Sequence, residues 1–148
     1  MLMGIWILPF QYMKVNYKSV VDWRTYTDHL RCNPSFFGHE RYDHALVEEG
    51  GHHFFVHLLC LFQVSVGAQL HPLAYVETYC RHPGHMRHKD KDLGIYRLQL
   101  RAGKYQIIPL ESVVCGALIV SDVDHPGEYL VVDTIDTDMF LRMKQLAF

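Results

Sequence analysis

The chain has 148 residues, of which 49% are hydrophobic and 20% are charged. That length and apolar content predict one domain with a substantial core, and they exclude a disordered tail or a small scaffold that needs disulfides to fold. The formal charge of −2 at pH 7 excludes binding of nucleic acid through a general positive field, so any such contact would have to be local.

The N-terminal segment from Met1 to Phe10 is almost entirely apolar. No basic residue precedes it and no small-residue cleavage site follows it, so we predict a first β-strand rather than a secretory signal. No apolar stretch in the chain reaches the roughly 20 residues that a membrane-spanning helix needs. We therefore expect no membrane partner.

The segment from Ser19 to Leu30 has two interpretations. Ser19 and Asp22 have the spacing of a helix N-terminus, and an apolar helical face then runs to Leu30. Alternation from Asp22 to Tyr26 would also suit a strand. We predict a short helix here, with a strand as the alternative.

From Tyr42 onward, apolar runs of strand length alternate with short turns. A Gly50-Gly51 hairpin is expected to precede one long strand, a second hairpin turn is expected at residues 101–104, a wide turn at 121–128, and a short helix capped by Asp136 or Thr137 at 138–145. The predicted fold class is mainly β: a small, partly closed antiparallel β-barrel of six to eight strands with one or two short helices. Its predicted core comprises Phe54, Val56, Leu58, Cys60, Phe62, Val64, Val114, Leu118, Val120, Leu130 and Val132.

The four cysteines, Cys32, Cys60, Cys80 and Cys115, form no C-x-x-C pair, and two of them lie inside apolar strands. Because a chain of this size does not need disulfide bonds to fold, we predict free thiols in a reducing, intracellular compartment.

A polar loop from Cys80 to Asp92 contains several metal-capable side chains. A zinc site usually takes two pairs of ligands from separate segments, and a second pair is missing here. His88-Lys89-Asp90 also fits half of a non-heme iron triad, with His125 as the distal histidine. The preferred interpretation is a solvated loop with no cofactor; the alternative is a metal site made of His82, His85, His88, Asp90 and His125.

The same loop contains the best local basic patch in the chain. Two tyrosines lie close to it in sequence and could stack on a base or on an arginine plane. Asp90 and Asp92 dilute its charge. The predicted binding residues are Arg81, Arg87, Lys89, Lys91, Tyr79 and Tyr96.

Sequence signatures of catalysis are missing: there is no G-x-S-x-G motif, no glycine-rich phosphate loop and no cysteine with the flanking residues of a protease. We therefore predict a protein that is not an enzyme. No pattern in the chain indicates its oligomeric state.

Several segments resemble a family of uncharacterised proteins in mushroom-forming fungi, similar to the C-terminal regions of Plavaka-type and Kyakuja-Dileera-Zisupton-type transposases. The resemblance covers nearly the whole chain, and it includes residues 15–23, 30–36, 38–43, 89–97 and 129–142. A shorter segment, 107–113, resembles the bromo-adjacent-homology barrel.

The resemblance implies an accessory β-barrel of a transposon-derived protein, with the catalytic acidic residues in a separate upstream domain, and it implies a nuclear location. Together with the missing catalytic motifs, it leads us to expect a non-catalytic interaction module that binds protein or chromatin. Two alternatives stay open: a histidine-rich metal-dependent enzyme using iron or zinc, and a barrel that binds nucleic acid weakly.

Overall fold

The computed structural model describes residues 4–81, 89–90, 92–134 and 136–146. Within them the chain forms eleven β-strands, one short 3-10 turn at Leu110–Ser112 and one α-helix. The strands are β1 (Ile5–Phe10), β2 (Tyr12–Lys18), β3 (Thr25–Phe36), β4 (His39–Tyr42), β5 (His44–Glu49), β6 (His52–Val66), β7 (Gln69–Arg81), β8 (Arg97–Pro109), β9 (Val113–Ala117), β10 (Ile119–Ser121) and β11 (Glu128–Val131), and the helix is α1 (Thr137–Gln145).

Seven strands form a nearly closed antiparallel barrel in the order β10-β11-β8-β7-β6-β5-β9. The strands at the two ends of this order, β9 and β10, are consecutive in the chain, with only Leu118 between them. β1 pairs with the far end of β6, and β2, β3 and β4 form a second, three-stranded sheet. The prediction of a mainly β, partly closed barrel of six to eight strands is confirmed.

The local predictions at Gly50-Gly51 and at the C-terminal helix are also confirmed. Gly50 and Gly51 have φ angles of 56° and 80°, the left-handed values that a two-residue hairpin turn requires, and Glu49 pairs with His52 across them. Asp136 caps α1, because its side chain accepts a 2.9 Å hydrogen bond from the Asp138 amide.

The prediction of a helix between Ser19 and Leu30 is wrong. Ser19 and Arg24 instead close a tight turn, with a 2.9 Å hydrogen bond from the Ser19 amide to the Arg24 carbonyl, and β3 begins at Thr25. The Ser19 hydroxyl does accept a bond from a nearby amide, that of Val21 at 3.0 Å, but in a turn rather than at a helix start. Pairing of β3 with β2 along seven residues prevails over the weak helical pattern.

The predicted hairpin turn at residues 101–104 is also wrong, because β8 continues through it. Tyr79 of β7 pairs with Leu100, and Glu77, two residues earlier, pairs with Tyr105. The extra residues of β8 therefore form a bulge, in which Gly103 has a φ of 62°. A glycine followed by a charged residue has the same appearance in sequence whether the chain reverses or bulges.

The core consists of two clusters of buried side chains. One contains Val15, Leu30 and Cys32 of the three-stranded sheet, and the other contains Met139 and Met143 of α1. Adjacent residues of β5 and β6, such as Val56 and Phe55, belong to different clusters, so the central strands are buried on both faces.

The predicted core is correct for Val56, Leu58 and Leu130, which are buried. Leu118 and Val120 are exposed, and the other members are only partly buried: Phe54, Cys60, Phe62, Val64, Val114 and Val132. The prediction assumed strict alternation along β6, but a bulge between Leu58 and Cys60 shifts the alternation by one residue.

All four cysteines are free, as predicted. Burial raises the pKa of the Cys32 and Cys115 thiols to about 12, so both stay protonated at neutral pH. None of the helices within the described residues has the length and apolar character needed to cross a membrane.

Candidate functional site

A groove of about 550 Å³ lies where β6 and β7 separate. The pairing of these strands begins at Val56 and Thr78. Beyond this point the two strands pair with different neighbours: residues 52–55 of β6 pair with β5, and residues 79–81 of β7 pair with β8. The two strand ends therefore diverge. We call this the β6–β7 groove; its described lining is Gly51, His52, His53, Phe54, Phe55, Thr78, Tyr79, Cys80, Arg81, Leu98, Arg101, Gln145 and Leu146.

The charge of the β6–β7 groove is one-sided. His52, His53, Arg81 and Arg101 contribute to its described lining, and no aspartate or glutamate does. His53 Nε2 lies 3.5 Å from the Glu48 carboxylate, which is itself half exposed outside the groove. Phe55, Tyr79 and Leu98 are buried and form an apolar floor. The groove therefore combines a basic rim with an apolar base.

Arg101 lies at the groove because β8 continues past Leu100, alongside the end of β7. Leu98 pairs with Arg81 and Leu100 pairs with Tyr79, so Arg101 directly follows the segment of β8 that lies beside the end of β7. Sequence reasoning missed Arg101, because it assigned this residue to a hairpin turn, and it did not place His52 and His53 among the binding residues. The pairing of β6 and β8 with their neighbouring strands brings these residues to one groove, and no local pattern in the sequence indicates it.

The predicted basic patch is only partly within the described residues. Arg81 is exposed at the rim of the groove, and Lys89 lies over the ring of Tyr96, with its Nζ 4.7 Å from the ring centroid. Arg87 and Lys91 lie outside the described residues. The structure thus brings Arg81 to the groove and joins Lys89 to Tyr96.

Tyr79, the remaining predicted binding residue, is buried in the barrel. Its hydroxyl lies 3.2 Å from His44 Nε2, and its ring packs edge-on against Tyr129 with centroids 5.0 Å apart. Burial raises the pKa of this phenol. Tyr79 therefore supports the floor of the groove and offers little ring surface for stacking on a base.

Comparison of the chain with protein-family models, with curated proteins and with solved structures found no match in any of the three. Function must therefore be argued from the chemistry of the sites themselves.

The predicted metal residues Asp90 and His125 belong to a second cluster, centred on Arg97. The Arg97 guanidinium donates to Asp90 at 2.6 Å, to Glu128 at 2.9 Å and to Asp122. His125 Nδ1 lies 2.9 Å from the same Asp122 carboxylate. Hydrogen bonds from Arg97 hold the pKa of Asp122 down, at about 2. The other predicted ligands, His82, His85 and His88, lie outside the described residues.

Ligand-capable atoms of Asp122, His125 and Glu128 lie within 4.8 Å of one another. Arg97, however, already contacts both carboxylates and supplies the positive charge that a metal ion would bring. The side chains of Arg97, Asp122 and Glu128 are each about 10% exposed. This arrangement is that of a structural ion cluster joining β8, β11 and the turn between β10 and β11.

We expect the purified protein to contain no stoichiometric zinc or iron after dialysis, because Arg97 satisfies the carboxylates. Elemental analysis measures the metal content, and thermal unfolding with and without EDTA measures its contribution to stability. An unchanged melting temperature is expected. One equivalent of metal, lost together with several degrees of stability on chelation, would instead support the metalloenzyme alternative.

Proposed function

We propose that the chain is a non-catalytic interaction module of a transposon-derived nuclear protein, and that its β6–β7 groove binds an extended acidic segment of a protein partner, such as a chromatin protein. The observation that carries this proposal is the one-sided charge of the groove: four basic or basic-capable residues and no acidic residue in the described lining. A ligand with negative charge and some apolar surface complements both the rim and the floor.

The shape of the groove favours a peptide over a nucleic acid. Its walls are two strand ends of about four residues each, which corresponds to roughly 13 Å. That length suits a short extended peptide, whereas nucleic acid presents a continuous line of phosphates that needs basic contacts over a longer path.

A titration with fluorescent peptides tests this proposal. We expect a peptide alternating Asp or Glu with Leu or Val to bind, and the same peptide with Lys in place of its acidic residues not to bind. Arg81→Ala and Arg101→Ala should each weaken binding roughly fivefold, because each removes a charge-assisted contact. Affinity should also fall as salt is raised from 50 to 300 mM.

Arg24→Ala provides the matched control, since the Arg24 side chain is 81% exposed in the turn between β2 and β3 and is not part of the groove. Its peptide affinity should equal that of the wild type. Single-stranded DNA of equal charge is titrated in parallel. Tighter binding of the DNA than of the acidic peptide, lost in Arg81→Ala, would overturn the proposal in favour of a nucleic-acid module.

A further inference from the structure

The N-terminal strand β1 exposes an unusual amount of apolar surface. Ile5, Trp6, Ile7 and Leu8 are each between 58% and 75% exposed, and the strand contains no charged residue. Successive residues of a strand point to opposite faces, so both faces of the sheet are exposed here. Val66 and Leu70, on the neighbouring hairpin of β6 and β7, extend the same apolar surface.

β1 is also an edge strand within the described sheet. It pairs with residues 61–66 of β6 and has no second strand partner among the described strands. Proteins usually protect such an edge with charged residues, a bulge or proline. In β1 the only such device is Pro9, near its end, which leaves Ile5–Leu8 available for pairing.

We infer that β1 is the contact of a two-fold homodimer, in which it pairs antiparallel with β1 of a second copy. Two identical strands paired antiparallel are related by a two-fold axis, so the contact uses the exposed edge of both molecules and closes at two copies. This axis is perpendicular to the sheet, so the same face of β1 lies on the same side of the joined sheet in both copies. Trp6 and Leu8, on one face, therefore meet apolar residues of the second copy, as Ile5 and Ile7 do on the other.

The area and the charge of β1 favour a second copy as the occupant. Residues Ile5–Leu8 expose roughly 600 Å² in each protomer, the most that they can bury, compared with about 800 Å² buried per partner in an ordinary stable interface, so the area fits a weak dimer of micromolar affinity. Because β1 has no charge, it offers no electrostatic feature to select a different partner, whereas its own apolar side chains complement one another on both faces. Pairing of the edges would also remove the aggregation hazard that an exposed apolar strand creates.

The dimer contact does not depend on the groove proposed above to bind acidic peptides. β1 lies along residues 61–66 of β6, and the groove is lined by residues 52–55 of the same strand, roughly 30 Å away at the opposite end. Both sites could therefore be occupied at once, and loss of one should leave the other unchanged.

Sedimentation of the full chain between about 5 and 200 µM tests the inference. We expect a mass that rises with concentration towards twice the 17.3 kDa of the chain and does not exceed that value. Ile7→Lys should raise the midpoint concentration of dimerisation at least tenfold, because each copy would bring a lysine charge into the apolar contact. Val123→Lys is the matched control, since Val123 is also exposed but lies in the turn between β10 and β11.

Hydrogen exchange provides a readout specific to strand pairing. Backbone amides in Ile5–Leu8 should exchange more slowly at 200 µM than at 5 µM in the wild type, and at the same rate in Ile7→Lys. A chain that stays at 17.3 kDa up to 200 µM, or a dimer that Ile7→Lys leaves unchanged, would overturn the inference. Because acidic-peptide binding is measured in the same variants, a failed dimer is distinguishable from a failed groove.

Discussion

Arg97→Met is expected to lower the free energy of unfolding by about 3 kcal/mol at pH 7, the largest effect of any single change considered for this protein. Arg97 is buried and donates to three carboxylates, those of Asp90, Asp122 and Glu128. Methionine preserves much of the side-chain volume but removes the guanidinium that contacts all three carboxylates, which lie close together. Urea unfolding followed by circular dichroism measures the loss.

Arg24→Met is the control for this prediction. Arg24 also faces an aspartate, Asp22, at 4.0 Å, but its side chain is largely exposed, and an exposed pair of that kind contributes little to stability. Because hydrogen bonding to Arg97 lowers the pKa of Asp122 to about 2, the stabilisation from that pair is complete above pH 4 and disappears as the pH falls towards 2.

The difference between wild type and Arg97→Met should therefore narrow in acid. A loss below 1 kcal/mol at pH 7, or a difference that does not change between pH 5 and pH 2.5, would show that the cluster is not held together by charge. Adding Asp122→Asn to Arg97→Met should recover part of the stability, because it removes one of the negative charges that Arg97 no longer balances.

Sequence reasoning predicted the features of this fold that depend on local chemistry. Gly50-Gly51 supplies the two positive φ angles of a tight turn, and Asp136 supplies a cap ahead of an amphipathic segment. Runs of strand length that are rich in β-branched and aromatic residues indicated the barrel class, because these residue types favour strands wherever they occur together. Each of these signals is contained in a few neighbouring residues.

The features that were missed depend on contacts between distant residues. Arg97 is separated by 25 and 31 positions from Asp122 and Glu128. The residues around Arg97 in the sequence therefore do not indicate that it contacts three carboxylates. Likewise, Arg101 lies at the β6–β7 groove because β8 continues through residues 101–104 beside β7 instead of turning back. A pattern read along one strand does not contain that information.

The helix predicted from Ser19 illustrates a competition that sequence alone did not resolve. Ser19 and Asp22 do form local hydrogen bonds, Ser19 to the Val21 amide and Asp22 to the Arg24 amide at 3.1 Å. These bonds stabilise a turn as well as they would a helix start. The outcome was decided by β2, which gives β3 a partner over seven residues.

A second large effect is expected from the protonation of His44 as the pH falls below 6.5. His44 lies in β5, where its ring stacks on His57 with centroids 4.5 Å apart and its Nε2 is 3.2 Å from the Tyr79 hydroxyl. Burial, aided by the neighbouring His57, lowers its pKa from 6.5 to about 4, although the carboxylates of Asp43 and Glu77 act in the opposite direction. The folded protein therefore keeps this imidazole neutral.

The unfolded chain binds a proton at His44 near pH 6.5, whereas the folded chain does so only near pH 4. Stability from this site is thus complete above pH 6.5 and is lost progressively down to pH 4, by up to about 3 kcal/mol. His44→Gln removes the titration but keeps an amide that can bond to the Tyr79 hydroxyl. We expect it to be less stable than the wild type at pH 7, and to lose less stability on acidification.

Urea unfolding of wild type and His44→Gln at pH 7, 6, 5 and 4.5 isolates this contribution, because the other titrating groups are common to both chains. His39→Gln, at an exposed position in β4, is the matched control and should follow the wild type at every pH. A stability difference between wild type and His44→Gln that stays constant from pH 7 to pH 4.5 would contradict the prediction. It would mean that the stacked pair of His44 and His57 accepts a proton without strain, and that the nearby carboxylates outweigh burial.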